Sequence, residues 1–186
     1  ASSVYGHGAC VAPLPLAEIR KLARLETKVG DHVILPGGIA AGDHGTAPGV
    51  ADDGVRERSH FGQPHSLNLV LSDFHVVLSV SVQGGEHINL EEAKAFLRSL
   101  RWVLRSPRRF IKRIVVLGDS KVWLGAVSKG RSSSWSLNRL LQRVAALTMA
   151  AGPVLHLVYL PSEYNPSDWP SRGGPATWPK ELGKTP

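Results

Sequence analysis

The chain has few of the residues on which small extracellular proteins and zinc domains depend. Cys10 is its only cysteine, so no internal disulfide can form, which fits a reducing, intracellular compartment. One thiol cannot supply the usual zinc ligands, and the eight histidines show no zinc-ligand spacing. No apolar run is long enough to cross a bilayer, so we expect no membrane partner.

Two further motifs are missing. The sequence contains no phosphate-binding glycine motif and no secretory hydrophobic segment. It begins at Ala1 rather than at a methionine, which leaves open a processed mature protein, an excised piece or a partial chain. A removed organelle-targeting peptide would leave no trace.

Positive charge is present in excess, and it is unevenly distributed. The net charge is +7, which points to a polyanionic partner. Residues 1–86 hold 6 basic and 9 acidic side chains, a net charge of −3, whereas residues 87–172 hold 14 basic and 5 acidic, a net charge of +9. The alternative is that this charge serves solubility alone.

The first 66 residues are expected to form an extension. Residues 13–28 have apolar side chains at helical spacing, which predicts a short amphipathic helix, and His32–Leu35 is a candidate strand. Residues 36–66 are rich in Gly, Pro, Asp and His, which predicts a long loop or an arm that orders on a partner. The tail, residues 173–186, is expected to behave in the same way.

Residues 67–172 carry the pattern of a compact mixed α/β domain with the order ββαβααβ. Gly130, Gly152 and Pro107 are expected to end its helices. The predicted elements are strands 67–71 and 75–82, joined as a hairpin, a helix that begins after Asn89, strand 114–117, a short helix to about 128, a helix over 135–151 and strand 154–160.

Three acidic residues fall at positions suited to a shared site. Glu92 lies at the start of a predicted helix, Asp119 follows a predicted buried strand, and Asp168 lies in a loop before the tail. Each also has a structural explanation. Glu92 could complete a capping box with Asn89, and Asp119 is a candidate N-cap. Asp168 could organise a turn, as aspartate residues commonly do.

The order of these residues resembles the ribonuclease H domain of reverse-transcribing retroelements. The motifs are His-Ile-Asn-Leu-Glu-Glu-Ala-Lys-Ala, Val-Val-Leu-Gly-Asp-Ser, Lys-Gly-Arg-Ser-Ser-Ser and Pro-Ser-Glu-Tyr-Asn-Pro-Ser-Asp-Trp-Pro-Ser-Arg. The likeness covers roughly residues 72–174 and is nearest to tyrosine-recombinase retrotransposon polyproteins and their protist relatives. It implies a ribonuclease H-like fold, a mixed sheet flanked by helices, here with an altered or shortened N-terminal meander. It also implies Glu92, Asp119 and Asp168 as catalytic residues and ligands of Mg²⁺ or Mn²⁺.

The resemblance also implies a fourth carboxylate, on the first strand, that this chain does not supply convincingly. Asp73 is the nearest candidate, but it lies at the entry to the strand that precedes the helix. That ligand normally bridges two metal ions, and its loss would weaken coordination. We therefore expect little or no hydrolysis, and no resident cofactor.

Basic residues follow the acidic ones closely. Between positions 98 and 113 the sequence has seven basic residues and no acidic one, and three of them share a helix face. Phosphates are the natural neutralising ligand, and a solvated face is the alternative. The predicted RNA-binding residues are Arg98, Arg101, Arg105, Arg108, Arg109, Lys112, Arg113, Lys129, Arg131 and Arg172.

Five tryptophans offer a second kind of contact. Trp102, Trp123 and Trp135 could stack on bases, although their helical spacing favours packing in a core or an interface. Trp169 and Trp178 lie in proline-rich sequence and are expected to anchor on a neighbouring surface.

Two functions compete. The first is a degenerate, non-catalytic, retrotransposon-derived domain that binds RNA and scaffolds a larger ribonucleoprotein. An organelle ribosome in the mitochondrial matrix is the natural example of such a complex. The arms 36–66 and 173–186 would contact neighbouring proteins. The second is an active ribonuclease H that cleaves the RNA strand of an RNA–DNA hybrid. A polyprotein fragment whose first strand lies elsewhere is a third possibility.

Overall fold

A computed structural model describes residues 6–25, 31–35, 62–82 and 86–173. These residues form six strands and five α-helices. In order they are β1 (Gly6–Val11), α1 (Leu16–Leu25), β2 (His32–Ile34), β3 (Pro64–Ser66), β4 (His75–Ser81), α2 (Ile88–Val103), β5 (Arg113–Gly118), α3 (Lys121–Lys129), α4 (Trp135–Ala151), β6 (Val154–Tyr159) and α5 (Asp168–Ser171).

The central sheet has four parallel strands in the order β3-β2-β6-β5. β5 and β6 are in register over six residues, from Arg113 opposite Val154 to Gly118 opposite Tyr159. Both strands are aliphatic runs, as parallel strands covered on both faces usually are. The mixed α/β class predicted from the sequence is thus confirmed.

The two faces of this sheet belong to two hydrophobic clusters, because successive side chains of a strand point to opposite sides. Val116, Leu155 and Leu157 pack against the cluster built by α2, α3 and α4. Val115 and Leu117 pack on the other cluster, which α1 and β2 help to build. The sheet therefore lies between two layers of helix.

The helices α3 and α4 each end at a glycine, as the sequence predicts. Gly130 and Gly152 each have a φ near +66°, a left-handed conformation that glycine adopts without steric cost. Ser134 caps α4, since its hydroxyl accepts a hydrogen bond from the Leu137 amide. The predicted bounds of α4, residues 135–151, are confirmed.

The predicted hairpin is wrong, because the structure has a separate two-stranded ribbon in its place. β4 pairs antiparallel with β1, with a bulge at Ala9 and Cys10, and not with residues 67–71, which form no strand. Leu67 and Leu69 are instead buried in the cluster beneath α1. Gly8 permits this ribbon to pack closely, because a Cβ there would clash with the backbone of α5 and the residue before it.

The described part of residues 1–66 is built into the same fold as the rest. β1 pairs with β4, β2 lies beside β6, and α1 contacts both β5 and β6. The described residues before 67 therefore contact elements of the predicted domain 67–172. The predicted helix 13–28 is observed over Leu16–Leu25. Most of the two predicted arms, residues 36–61 and 174–186, lies outside the described residues.

None of the described helices combines the length and the apolar character needed to cross a bilayer.

Candidate functional site

A cleft runs between the β1–β4 ribbon and the edge of the parallel sheet. We call it the strand-edge cleft; it has a volume of about 190 Å³ and is lined by Gly8–Val11 of β1 and by Ile114–Gly118 of β5. Side chains of α2 and α3 contribute Phe96, Leu100 and Trp123 to its wall. The cleft is therefore largely apolar, and its polar groups are few.

Two of the three predicted catalytic carboxylates meet in this cleft. Glu92 reaches it from the first turn and a half of α2, and Asp119 from the residue that follows β5. Burial raises the pKa of Glu92, and the charge of Asp119 raises it further, while a hydrogen bond with Ser120 opposes both. One oxygen of Glu92, Oε2, is buried and has no hydrogen-bond partner among the described residues.

The capping explanations for these two residues are wrong. The N-cap of α2 is His87, whose Nδ1 accepts from the Asn89 amide at 3.3 Å, so Asn89 lies inside the helix and forms no capping box. The N-cap of α3 is Ser120, which frees Asp119 for another contact. Its Oδ2 accepts a hydrogen bond from Asn165 Nδ2 at 2.8 Å. Both carboxylates therefore point to the cleft rather than to a helix end.

The other acidic candidates point elsewhere. Asp168 is the first residue of α5, and its Oδ2 accepts from Arg172 Nε at 2.9 Å. Asp73 caps a single 3-10 turn, because its Oδ2 accepts from the Val70 amide at 2.9 Å. Neither of the two carboxylates lines the strand-edge cleft.

The described residues do not fit the two-metal site that the family resemblance implies. Divalent Mg²⁺ and Mn²⁺ prefer several carboxylate and carbonyl oxygens. The cleft provides Glu92 and Asp119, and no group of three or more His, Cys, Asp or Glu residues in the described ranges could hold a metal ion. The orphaned Glu92 oxygen would suit one ligand position. We derive no hydrolytic step from this donor set.

A buried histidine organises the charges beside the cleft. His7 is fully buried, and its Nε2 lies 2.8 Å from Glu91 Oε2. Arg98 donates to His7 Nδ1 at 3.0 Å, which places the imidazole proton on Nε2, where it is donated to Glu91. Lys94 bridges Glu91 and Glu86. We call His7, Glu91, Lys94 and Arg98 the His7 network.

The pKa values of this network favour a neutral histidine between two charged partners. Burial lowers the pKa of His7, and the charge of Arg98 adds to that effect, although Glu91 opposes both. Burial alone would raise the pKa of Glu91, but hydrogen bonds from Lys94 and His7 outweigh it and lower this pKa. Glu91 and Glu92 are adjacent, and yet their pKa values shift in opposite directions.

Six of the predicted RNA-binding residues surround the C-terminal end of α2 and the turn that leads to β5. Five are exposed and Arg109 is half-buried. The side chains of four of the six form no ion pair and no hydrogen bond with any described residue, namely those of Arg101, Arg105, Arg108 and Lys112. We call the six the basic cluster: Arg101, Arg105, Arg108, Arg109, Lys112 and Arg113.

Trp102 links the basic cluster to the cleft. Its ring lines the cleft, and the guanidinium of Arg109 lies 4.4 Å from the centre of that ring. Such stacking holds a guanidinium flat, with its donor edge facing outward. The strand-edge cleft therefore has two carboxylates in its lining, and an arginine stacks on Trp102 of that lining.

The remaining predicted basic contacts are dispersed. Arg98 belongs to the His7 network, and Arg172 pairs with Asp168. Lys129 and Arg131 are exposed on either side of Gly130. They lie at the C-terminal end of α3, so they add a second, smaller positive region.

The other tryptophans divide between core and surface. Trp123 is buried and stacks on Phe96, with ring centres 4.8 Å apart. It therefore packs in the core, which is one of the two settings that its helical spacing favoured. Trp135 is 70% exposed, so it does not belong to the core. Trp169 is half-buried, and Trp178 lies outside the described residues.

Three residues that matter to the cleft were not predicted. His7 lies 84 residues before Glu91, and no local pattern indicates that contact. Ser120 and Asn165 are within the quoted motifs, where Asn165 stands three positions before Asp168. The closeness of the Asn165 amide to Asp168, a predicted metal ligand, was the sequence signal that could have added Asn165 to the site.

Comparison with known proteins found no family model, no curated protein and no solved structure that matches this chain.

Proposed function

We propose that this chain is a non-catalytic RNA-binding domain of ribonuclease H-like type that scaffolds a larger ribonucleoprotein. The observation that carries the proposal is the basic cluster. It holds six cations and no carboxylate, around the C-terminal end of α2 and the turn that leads to β5.

The geometry of the cluster supports a polyanionic ligand. Arg101 lies in the last turn of α2 and Arg105 lies two residues beyond the end of that helix, so like charges meet in one region and repel each other. The C-terminal dipole of the helix compensates for part of this repulsion. Phosphates would neutralise the rest, because guanidinium groups bind phosphate oxygens with two hydrogen bonds.

The chemistry of the cluster favours contacts to the nucleic-acid backbone over base recognition. Five of its six residues are exposed cations, which contribute charge without base-specific geometry. Arg109 on Trp102 is the exception, since a stacked, oriented guanidinium can pair with one phosphate or one guanine edge. We therefore expect affinity that depends strongly on salt and weakly on sequence.

The test is a double charge reversal, Arg101→Glu with Arg105→Glu. The control reverses two exposed arginines on other helices, Arg20→Glu with Arg143→Glu, so that the net charge of the two variants is equal. Binding to a fluorescent uridine dodecanucleotide is measured at several salt concentrations. We expect affinity to fall at least about tenfold, and the salt slope to fall by about 0.7 for each phosphate that is no longer neutralised. Equal behaviour of the two variants would reject the cluster as the RNA-binding surface.

A second function, hydrolysis of the RNA strand of an RNA–DNA hybrid, is favoured by one observation. Glu92 and Asp119 converge in a single cleft, and the pKa of Glu92 is raised as burial and a neighbouring carboxylate require. An assay of such a hybrid with Mg²⁺ or Mn²⁺ separates the two functions. We expect no cleavage, whereas cleavage that Asp119→Asn abolishes would establish the enzyme.

A further inference from the structure

One exposed isoleucine in the middle of the basic cluster has a strained backbone. Among the described residues, Ile111 is the only non-glycine residue with a positive φ, at +56°. This left-handed conformation crowds the Cβ of an L-residue against the backbone, and it is least favourable for β-branched side chains. The side chain of Ile111 is nevertheless 84% exposed. Packing inside the chain therefore does not offset the strain.

The fold requires this conformation, but it does not require the isoleucine. The Ile111 amide donates to the Ala151 carbonyl oxygen at 2.9 Å. The next residue, Lys112, accepts from the Val154 amide at 2.9 Å through its carbonyl oxygen. These two hydrogen bonds fix the backbone of the turn into β5. Glycine or asparagine would adopt the same φ with less strain, and residues that keep such strain are concentrated at ligand-binding sites.

The side chains around Ile111 define the charge of its ligand. Phe110, directly before it, is 37% exposed, and we call Phe110 and Ile111 the apolar tip. The sequence has no acidic residue from 93 to 118. A ligand that suits the tip must therefore present negative charge next to an apolar surface. Four cations lie within three residues of Ile111 in the sequence, namely Arg108, Arg109, Lys112 and Arg113.

Unpaired RNA offers this combination more completely than a duplex does. Its phosphates supply the negative charge, and the flat faces of its unstacked bases are available for packing. In an A-form duplex the base faces are covered by stacking, so phosphates, 2′-hydroxyls and groove edges are what remains accessible. On such a duplex the exposed side chain of Ile111 would find no apolar surface to contact.

The size of the apolar tip favours a base over a membrane. Amphipathic segments that bind bilayers bury a whole apolar face, whereas cations adjoin Phe110 and Ile111 directly on both sides. One or two apolar side chains match the face of a single base. Arg109 adds to this match, because its guanidinium stacks on Trp102 at 4.4 Å and can bind a phosphate through its outer edge.

We propose that the RNA bound by the basic cluster is unpaired, and that Ile111 packs against the face of an unstacked base. This proposal rests on the proposed RNA-binding function and adds the class of RNA to it. The contact is apolar and does not read base edges, so it tolerates any sequence. A bilayer that contains anionic lipids is the alternative ligand of the apolar tip.

Two variants at one position test the contact. Ile111→Gly removes the side chain, whereas Ile111→Leu keeps an apolar one. Affinity for the uridine dodecanucleotide is expected to fall at least about fivefold in Ile111→Gly, since roughly half of an isoleucine side chain loses its cover, and to stay within about twofold in Ile111→Leu. Affinity for an RNA duplex of the same length should be unchanged in both variants. The salt slope for the single strand should also be unchanged, because no cation is removed.

Stability separates a ligand contact from a structural role. Ile111→Gly is expected to raise the melting temperature by about 2–4 °C, because glycine adopts the positive φ without strain. Leu16→Ala shortens another exposed apolar side chain, at the start of α1, and should leave RNA affinity unchanged. A melting temperature that falls in Ile111→Gly would identify a structural residue and overturn the proposal.

Methyl NMR of the full chain gives the most direct readout. The δ1-methyl resonance of Ile111 is assigned by its absence from the spectrum of Ile111→Gly. It is expected to move upfield when the uridine strand is added, because the face of a base shields the protons above it. A resonance that stays in place while the strand binds would overturn the proposal.

The same measurements separate this proposal from the RNA-binding function. If the unmodified chain binds the uridine strand and Ile111→Gly binds it equally, this proposal fails and the RNA-binding function stands. If the unmodified chain binds no RNA, both fail. Sedimentation with phosphatidylserine vesicles that Ile111→Gly abolishes, with unchanged RNA affinity, would assign the apolar tip to a membrane and overturn the proposal.

Discussion

The two ends of α2 use their charged residues in different ways. At the N-terminal end, Glu91 and Lys94 are engaged in pairs, with Glu91 buried against His7. At the C-terminal end, Arg101 and Arg105 are exposed and unpaired among the described residues. Both ends look equally charged in the sequence. The paired charges therefore have a structural role at one end, whereas the unpaired charges at the other end remain available to a ligand.

The largest effect is expected from removing the centre of the His7 network. His7→Leu would leave the Glu91 carboxylate buried beside an apolar group and would deprive Arg98 of its acceptor. The free energy of unfolding is expected to fall by about 2–3 kcal/mol, measured by urea denaturation. His75→Leu, at an exposed position of β4, is the control and should change it by less than about 0.5 kcal/mol. Equal effects would mean that the network is not structural.

The next largest effect on stability is expected from a substitution that disturbs the close packing next to the N-terminal half of α2. Gly118→Ala would bring a Cβ against the ring of Trp123, which is itself stacked on Phe96 of α2. We expect a loss of about 1–3 kcal/mol in unfolding free energy. Gly125→Ala is the matched control, because no atom lies within 4 Å of its new Cβ, and it should stabilise α3 by about 0.5–1 kcal/mol. A neutral Gly118→Ala would show that Trp123 can shift freely.

Neighbouring arginines on α2 separate structural from ligand-binding charge. Arg98→Gln should lower the unfolding free energy by about 1 kcal/mol, because it removes a charged donor to buried His7, and should leave RNA affinity within about twofold. Arg101→Gln should leave stability within about 0.5 kcal/mol and should weaken RNA binding about threefold, because one phosphate is no longer neutralised. Thermal unfolding and fluorescence anisotropy measure the two effects. Equal loss of RNA affinity in both variants would contradict this division of roles.

The smallest effects are pH-dependent and of opposite sign. Burial raises the pKa of Glu92, so the contribution of Glu92 to stability is lost as pH rises through its folded-state pKa. The unfolding free energy of Glu92→Gln should therefore increase relative to that of the wild type as pH rises. The pKa of Glu91 is lowered, so Glu91→Gln should be less stable at neutral pH, with a deficit that shrinks as pH falls through that lowered value. Urea titrations from pH 3 to pH 8 measure both differences, and Glu163→Gln, at an exposed position, is the control. Parallel trends at the two sites would contradict the assignment.

The sequence predicted well the part of the fold whose signals are local. α4 and β5 have uniform apolar patterns, and Gly130 and Gly152 mark the ends of two helices. The buried stripe of α2 also follows helical spacing, since Ala93, Leu97 and Leu100 are all in one hydrophobic cluster. Here local preference and tertiary packing agree.

The ribbon and the His7 network could not be predicted in the same way. β1 is Gly-His-Gly-Ala-Cys-Val, a composition with weak strand preference, and its pairing with β4 spans more than sixty residues of sequence. The hairpin prediction was wrong because two apolar runs close in sequence need not pair. For the site, the sequence indicated Glu92 and Asp119, but the ion pair that removes Asp168 from the cleft depends on how α5 is folded.

The claim that one end of α2 binds RNA and the other end does not can be measured directly by amide chemical-shift mapping. The uridine dodecanucleotide is titrated into the isotope-labelled chain, and shift changes are compared between residues 88–95 and residues 101–113. We predict that the largest changes fall within 101–113 and disappear at high salt. Changes centred on residues 88–95, or spread evenly over the domain, would contradict the claim.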